Sequence, residues 1–207
     1  DMDVLRAVLG ESKLNFLGYS YGSFLGTTYA TLFPDRVGRF VLDGAIDPTV
    51  DDDEQTLFQL EAFESALSTF LENCDSFDDC PFSGNVPADL ESVRQLLASI
   101  EKKPLATSSG RELTIWAAVT GLIMTLYSDR YWPSLATAFD EALSGSGDEF
   151  LRLADFYNDR GEDGRYQTNL IAANYAISCR DESASQSMFA IEAQNAKLLE
   201  AAPVLGR

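Results

Sequence analysis

The chain of 207 residues contains no histidine, the side chain that most often activates a serine nucleophile. Basic residues are also scarce: 15 Lys and Arg stand against 33 Asp and Glu, which gives a formal net charge of −18. Because phosphate binding needs clustered cations, this charge excludes nucleic acid as the main partner. The acidity serves solubility alone, or part of it attracts a cationic group such as the free amine of a peptide.

Long apolar runs are missing as well. No uninterrupted apolar run of about eighteen residues occurs, so we expect no membrane-spanning helix. The first residues, DMDVLRAVLG, lack the basic and then apolar plan of a signal peptide. Their apolar residues Met2, Leu5, Val8 and Leu9 fall on one side of a helix. We therefore expect the chain to be the central piece of a longer protein.

Cysteine is limited to Cys74, Cys80 and Cys179. The first two lie in NCDSFDDCP, where a small disulfide ring is one possibility and would suit an oxidising location. Zinc is not expected, because there is no histidine and no second cysteine pair, and we expect no cofactor. Cys179 is left over, either as a buried thiol or as the partner of a cysteine elsewhere.

Residues 1–47 show the alternating helix and strand patterns of an α/β unit. An apolar strand is predicted at residues 13–17 (KLNFL), a helix at 21–33 and a second buried strand at 37–42. With the N-terminal helix, this order is typical of a parallel sheet with crossovers.

From residue 48 onward the pattern predicts helices only. Apolar residues recur there at intervals of three and four, and glycine-rich segments separate several helices. The predicted helices lie within residues 51–70, 87–103, 113–126, 133–143, 148–157, 168–178 and 185–199.

The segment GYSYG places Ser20 between two glycines, with a predicted strand before it and a predicted helix after it. This context is typical of a nucleophile turn, in which a sharp bend strains the serine and points its hydroxyl outward. We expect side chains at Gly18 or Gly22 to collide with the neighbouring strand and helix, and Gly26 to let the helix approach the sheet. The Tyr21 amide can donate to a developing oxyanion. The alternative is a tight turn whose small residues serve packing only.

The missing histidine has three explanations. The chain is a piece that lacks the base, it is a non-catalytic relative, or another base such as Lys13 acts. Lys13 is excluded, because it begins the strand and lies roughly 20 Å from Ser20 by strand rise. The explanation that the chain is a piece is favoured for two reasons. Two strands are too few for the sheet of such a fold, and the usual second oxyanion donor comes from a loop before the serine, where this sequence has few residues.

The chain resembles the secreted bacterial tripeptidyl aminopeptidases of the α/β-hydrolase superfamily, close to the prolyl aminopeptidase group of serine peptidases. The likeness rests first on NFLGYSYGSFLGTTYATLFPDRVGRFVLDGAIDP, residues 15–48. It continues through ENCDSFDDCP, LYSDRYWPSLATAF, LADFYNDR and AISCRDE. The first segment is shared by many α/β-hydrolases, and the later ones are more particular to this family.

This resemblance implies an α/β fold in three parts. Residues 1–47 correspond to part of the α/β-hydrolase core, residues 48–185 to a helical lid, and residues 186–207 to a helix returning toward the core. It also implies that Ser20 is the nucleophile, that the Tyr21 amide helps form the oxyanion hole, and that Cys74 and Cys80 form a disulfide pair. The catalytic Asp and His would follow Arg207, on a remaining core segment.

Three acidic residues are candidates for further roles. Asp43 ends the strand beside the nucleophile strand, where some hydrolases carry their acid, but the resemblance implies a structural role for it. A lid carboxylate would bind the α-ammonium of the substrate. Asp181 and Glu182, where the lid returns to the core, are candidates for that carboxylate, and the alternative is an ordinary solvated face.

Together these features predict a bacterial serine exopeptidase, secreted or in the cell envelope, that releases tripeptides or other short peptides from free N-termini. The 207 residues alone are expected to be inactive. The alternatives are an esterase or lipase-like hydrolase with a similar lid, and a non-catalytic binding module built mainly from the helices.

Overall fold

The computed structural model describes residues 1–181 and 187–206. The chain divides into two compact units, Asp1–Glu54 and Gln55–Arg207. The first unit contains α1 (Met2–Val8), β1 (Leu14–Tyr19), α2 (Tyr21–Leu32), a 3-10 turn (Pro34–Arg36) and β2 (Val37–Asp43). The strand, helix and strand expected around GYSYG are therefore confirmed.

β1 and β2 pair in parallel, with α2 as the connection between them. The register shifts between Leu14 and Phe16, where the side-chain oxygen of Asn15 accepts a hydrogen bond from the Arg39 amide at 2.9 Å. Beyond this irregularity the strands run in step, and Tyr19 pairs with Asp43 at their carboxyl ends. In parallel α/β sheets this is the edge where ligands bind.

The helix α2 lies close against this two-stranded sheet. A Cβ at Gly26 would stand 2.6 Å from Cδ2 of Leu42, so a larger residue would have to displace that side chain for the helix to approach as closely. Tyr29, on the same helix, is 3% exposed, and its ring centroid lies 5.9 Å from that of Phe40. The role expected for Gly26 is confirmed.

Helices dominate the rest of the chain. They are α3 (Asp52–Glu72), α4 (Val86–Lys102), α5 (Ile115–Leu126), α6 (Trp132–Leu143), α7 (Asp148–Tyr157), α8 (Leu170–Asp181) and α9 (Met188–Ala201), with 3-10 turns at Cys74–Ser76 and Asp129–Tyr131. Each corresponds to a predicted helix with ends shifted by a few residues. In residues 1–181 and 187–206, no helix combines the length and apolar character needed to cross a bilayer.

A small antiparallel hairpin interrupts these helices. It pairs β3 (Leu105–Ala106) with β4 (Glu112–Leu113), so the prediction of helices only after residue 48 is wrong here. The turn uses Gly110 at φ +78°, and the Thr107 hydroxyl donates to the Arg111 carbonyl at 2.7 Å. Strands of two residues are too short to show the alternation by which a strand is recognised.

The core of the second unit is aromatic and aliphatic. The ring of Phe139 on α6 is fully buried and lies 4.9 Å from Phe82, 5.2 Å from Phe150 and 6.0 Å from Phe70, measured between centroids. Residues from α3, α6 and α7 thus share one cluster. Burying one such side chain contributes about 1.5–3 kcal/mol.

Glu64 on α3 is a charged residue inside this unit, 8% exposed. Its two carboxylate oxygens accept hydrogen bonds from the amides of Val204 and Leu205, each at 3.1 Å. Burial raises the pKa of the Glu64 carboxyl, and the two amides oppose that rise. The carboxylate therefore ties the turn after α9 to α3.

Cys74 and Cys80 form a disulfide, as the resemblance implies, with Cα atoms 5.5 Å apart. Cys74 is fully buried against the helical core. Cys179 on α8 carries an exposed thiol, so the alternative of a buried thiol is wrong.

Candidate active site

Ser20 is the single residue between β1 and α2, and it is exposed. Its backbone has φ +49° and ψ −117°, a region that non-glycine residues rarely occupy. Such a conformation costs about 1–3 kcal/mol and persists only where surrounding contacts hold it. The strain predicted for this serine is present in the structure.

The main chain of Ser20 is held at both ends. Its amide donates to the carbonyl of Asp43 at 2.8 Å, which extends the pairing of β1 and β2 by one residue. Its carbonyl accepts from the amide of Ser23 at 2.8 Å and from the Ser23 hydroxyl at 2.6 Å. These three hydrogen bonds offset the cost of the strained backbone.

The two motif glycines differ in what they contribute. A Cβ at Gly18 would stand 2.4 Å from the carbonyl oxygen of Gly22, so the bend requires glycine at position 18. A Cβ at Gly22 would meet no atom within 4 Å among the described residues. The prediction of a collision at Gly22 is therefore wrong for this part of the chain. The carbonyl of Gly22, and not its Cα, is the group that lies against Gly18.

The segment after β2 bends next to the serine. Gly44 has φ +64°, and a Cβ there would lie 3.5 Å from the nitrogen of Ser20. Asp43 contacts Ser20 through its main-chain carbonyl, while Asp43 itself is exposed.

Further along the chain, the amide and hydroxyl of Thr49 donate to the Asp47 carboxylate, and these hydrogen bonds hold the pKa of that carboxyl below its ordinary value.

Ser23 joins these two segments, and the sequence pattern did not point to it. Its side chain is fully buried on the first turn of α2. Besides its bond to the Ser20 carbonyl, the hydroxyl accepts from the Ile46 amide at 2.9 Å and lies 3.4 Å from the Gly44 carbonyl. Ser23 could have been predicted from its position, because it lies three residues after the predicted nucleophile and on the side of the helix that faces the sheet.

The remaining predicted site residues lie as follows. Tyr21 is the first residue of α2, half-buried, where the helix dipole favours negative charge. Asp181 is the last residue of α8, in the second unit, and it is exposed. Glu182 lies outside the described residues. Among the residues that are described, no group of three or more Cys, Asp or Glu is arranged to hold a metal ion.

A model of the alpha/beta hydrolase fold family matches residues 1–189, which include the Ser20 turn and most of the helices. The chain belongs to the α/β-hydrolase family. The strand, serine turn, helix and parallel strand of the first unit are the part of this fold that the structure describes directly.

Curated bacterial proteins of similar sequence include two peptidases and one carboxylesterase. This α/β-hydrolase is 36% identical over 189 residues to the serine protease Hip1 of Mycobacterium tuberculosis, and 32% identical over 187 residues to the tripeptidyl aminopeptidase of Streptomyces lividans. It is also 35% identical over 206 residues to carboxylesterase B of M. tuberculosis. The matches cover 88%, 87% and 99% of this chain, but 36%, 34% and 39% of the relatives. The chain thus spans little more than a third of the length of these relatives.

Proposed function

We propose that this chain carries the nucleophile segment of a serine peptidase that releases tripeptides or other short peptides from free N-termini. The observation that carries the proposal is the exposed Ser20 at φ +49°, between a parallel strand and a helix N-terminus. Similarity to proteins named serine protease and tripeptidyl aminopeptidase supports the substrate class.

In this mechanism the hydroxyl of Ser20 attacks the scissile carbonyl, and the Tyr21 amide donates to the developing oxyanion at the N-terminus of α2. A serine hydroxyl needs a base to take its proton. The 207 residues hold no histidine, so in this proposal the imidazole comes from polypeptide outside them, and the resemblance to the aminopeptidase family assigns its acidic partner to the same outside polypeptide. The same imidazole returns the proton to the leaving amine as the peptide C–N bond breaks, and water then hydrolyses the acyl ester on Ser20, which releases the short peptide and regenerates the hydroxyl.

Residues 48–185 act in this proposal as a lid that leaves room for only a few substrate residues. A carboxylate there binds the α-ammonium of the peptide, because a charge partner in a partly buried cleft fixes the position of the N-terminus. Asp181 and Glu182 are the candidates. We place the protein outside the cytoplasm, secreted or in the cell envelope, where the Cys74–Cys80 disulfide persists.

The first test uses the full-length gene product and a fluorophosphonate probe that labels activated serines. Labelling at Ser20, lost in Ser20→Ala, supports catalysis by this residue. Absence of labelling in the folded protein contradicts it and favours the non-catalytic binding module.

The second test separates the peptidase from an esterase, which the similarity to carboxylesterase B also favours. Hydrolysis is compared on a tripeptide amide with a free N-terminus, on its N-acetylated form and on a simple acyl ester. We expect the free tripeptide to be cleaved well and the acetylated form poorly. Equal rates on the two peptides, or cleavage of the ester alone, contradict the aminopeptidase.

A further inference from the structure

We propose that Ser23 is a positioning residue that holds Ser20 in its reactive conformation; this inference rests on the proposed role of Ser20 as nucleophile. Ser23 is fully buried, yet its hydroxyl is in contact with three main-chain groups from two segments. A buried hydroxyl with this many partners fixes local geometry, because each partner loses a hydrogen bond if the hydroxyl is removed.

The direction of these hydrogen bonds shows how the hydroxyl acts. The single proton of Ser23 goes to the Ser20 carbonyl at 2.6 Å, and the oxygen accepts from the Ile46 amide at 2.9 Å. The Gly44 carbonyl, at 3.4 Å, is a secondary contact. One hydroxyl thus connects the peptide that follows Ser20 to the chain leaving β2.

This connection bears on the strained residue itself. The ψ angle of Ser20, −117°, sets the orientation of its carbonyl, and that carbonyl is the group that Ser23 holds through both its amide and its hydroxyl. The hydrogen bond from the Ser23 amide to the Ser20 carbonyl spans three residues, a 3-10-type bond of the kind often found at a helix end, and it remains after loss of the hydroxyl. The hydroxyl bond is the additional restraint, and through Ile46 it makes the serine turn depend on the exit of β2.

We therefore expect loss of the hydroxyl to loosen Ser20 without removing any group that touches the substrate. Ser23→Ala should lower the rate of bond formation at Ser20 by about tenfold, the equivalent of one neutral hydrogen bond. The binding step that precedes bond formation should be unchanged. A residue needed only for folding would lower the amount of active enzyme and leave the rate per active site unaltered.

The matched control is Thr27→Val on the same helix. The Thr27 hydroxyl donates to the carbonyls of Ser23 and Phe24 at 3.0 and 2.9 Å, so the variant also deletes a hydroxyl bonded to the α2 main chain. Thr27 does not bond Ser20 or Ile46 in the described contacts. Ser23→Cys keeps a weak donor of similar size at the buried position and should give an intermediate rate.

The experiment measures inactivation of the full-length protein by a fluorophosphonate at several concentrations, which separates the limiting rate kinact from the half-saturating concentration KI. Active sites are counted by the final labelling, and melting temperatures are recorded for every variant. We expect kinact to fall about tenfold in Ser23→Ala with KI unchanged, and to stay at the wild-type value in Thr27→Val.

The outcomes separate this inference from the proposed function. If the folded wild type is not labelled at Ser20, the proposed function fails first. If the wild type is labelled and Ser23→Ala reacts with the same kinact, the positioning role alone is wrong. An equal fall of kinact in Thr27→Val also overturns the positioning role, since the effect would then not be specific to the hydroxyl that contacts Ser20. If Ser23→Ala does not fold, Ser23→Cys decides by the same comparison.

Discussion

At the scale of single residues, the serine turn depends on one glycine and one strained serine. The bend brings the Gly22 carbonyl to the position that a Cβ of Gly18 would occupy, while position 22 is open among the described residues. Two glycines that look equivalent in the GYSYG pattern therefore have different structural roles.

The matched substitutions Gly18→Ala and Gly22→Ala test this difference. We expect Gly18→Ala to lower the free energy of unfolding by at least about 2 kcal/mol, because the new methyl group meets a backbone oxygen that cannot easily move. Gly22→Ala should be neutral or stabilising by up to about 1 kcal/mol, since alanine is favoured in a helix. Chemical denaturation of the full-length variants measures both. An equal loss in the two variants would contradict the assignment.

Glu64 is the second residue whose role is specific, because its carboxylate binds two buried amides. Glu64→Ala leaves the amides of Val204 and Leu205 without this acceptor, and we expect a loss of about 2–4 kcal/mol in the free energy of unfolding. The control is Glu61→Ala, an exposed residue one turn earlier on α3, which should change stability by less than about 0.5 kcal/mol. A small effect at both positions, measured by denaturant unfolding, would show that the amides find other partners.

The same carboxyl gives a pH dependence with a definite sign. Burial, the largest effect, raises its pKa in the folded state above the ordinary value of 4.5. The part of the stability that comes from this raised pKa is therefore fully present below pH 4.5 and is lost as the pH rises through the folded-state pKa. Compared with Glu64→Gln, which does not titrate, the wild type should lose stability as the pH rises from below 4.5 to neutral. Denaturation curves at several pH values check this, and a relative gain over that range would refute it.

At the scale of elements, the disulfide and the short hairpin shape the connections between helices. Cys74 begins a 3-10 turn one residue after the end of α3, and its disulfide to Cys80 closes a short loop before α4. The ring of Phe77, inside that loop, stacks on Phe70 of α3 with centroids 5.9 Å apart. The loop is thus joined to the helical core by packing as well as by a covalent bond.

Removal of this disulfide should cost about 2 kcal/mol, the value expected for closing a loop of this length in the unfolded chain. The double variant Cys74→Ala/Cys80→Ala tests it by comparison with the wild type. Thermal unfolding of the wild type with and without a reductant gives an independent measure. The prediction fails if the reductant lowers the melting temperature of the double variant as much as that of the wild type.

At the scale of the whole molecule, composition and fold together determine what these residues can do. The chain holds a strand–serine–helix turn of an α/β-hydrolase and a helical unit, but no histidine. We therefore predict that the isolated 207 residues are not labelled by a fluorophosphonate, whereas the full-length gene product is labelled at Ser20. Circular dichroism of the isolated chain provides the folding control. Labelling of the folded isolated chain would show that the activating base lies within these residues.

The sequence by itself determined the order of the helices, the two strands around the serine and the position of the serine turn, because strand and helix patterns and GYSYG are local signals. Only the tertiary structure decided the different roles of Gly18 and Gly22, the joining of Ser20 to Ile46 by the Ser23 hydroxyl, and the binding of Val204 by Glu64. Each of these is a contact between groups whose distance depends on how strands and helices pack. A hydroxyl or carboxylate shows no periodicity that reveals its distant partner, so such contacts cannot be inferred from one sequence.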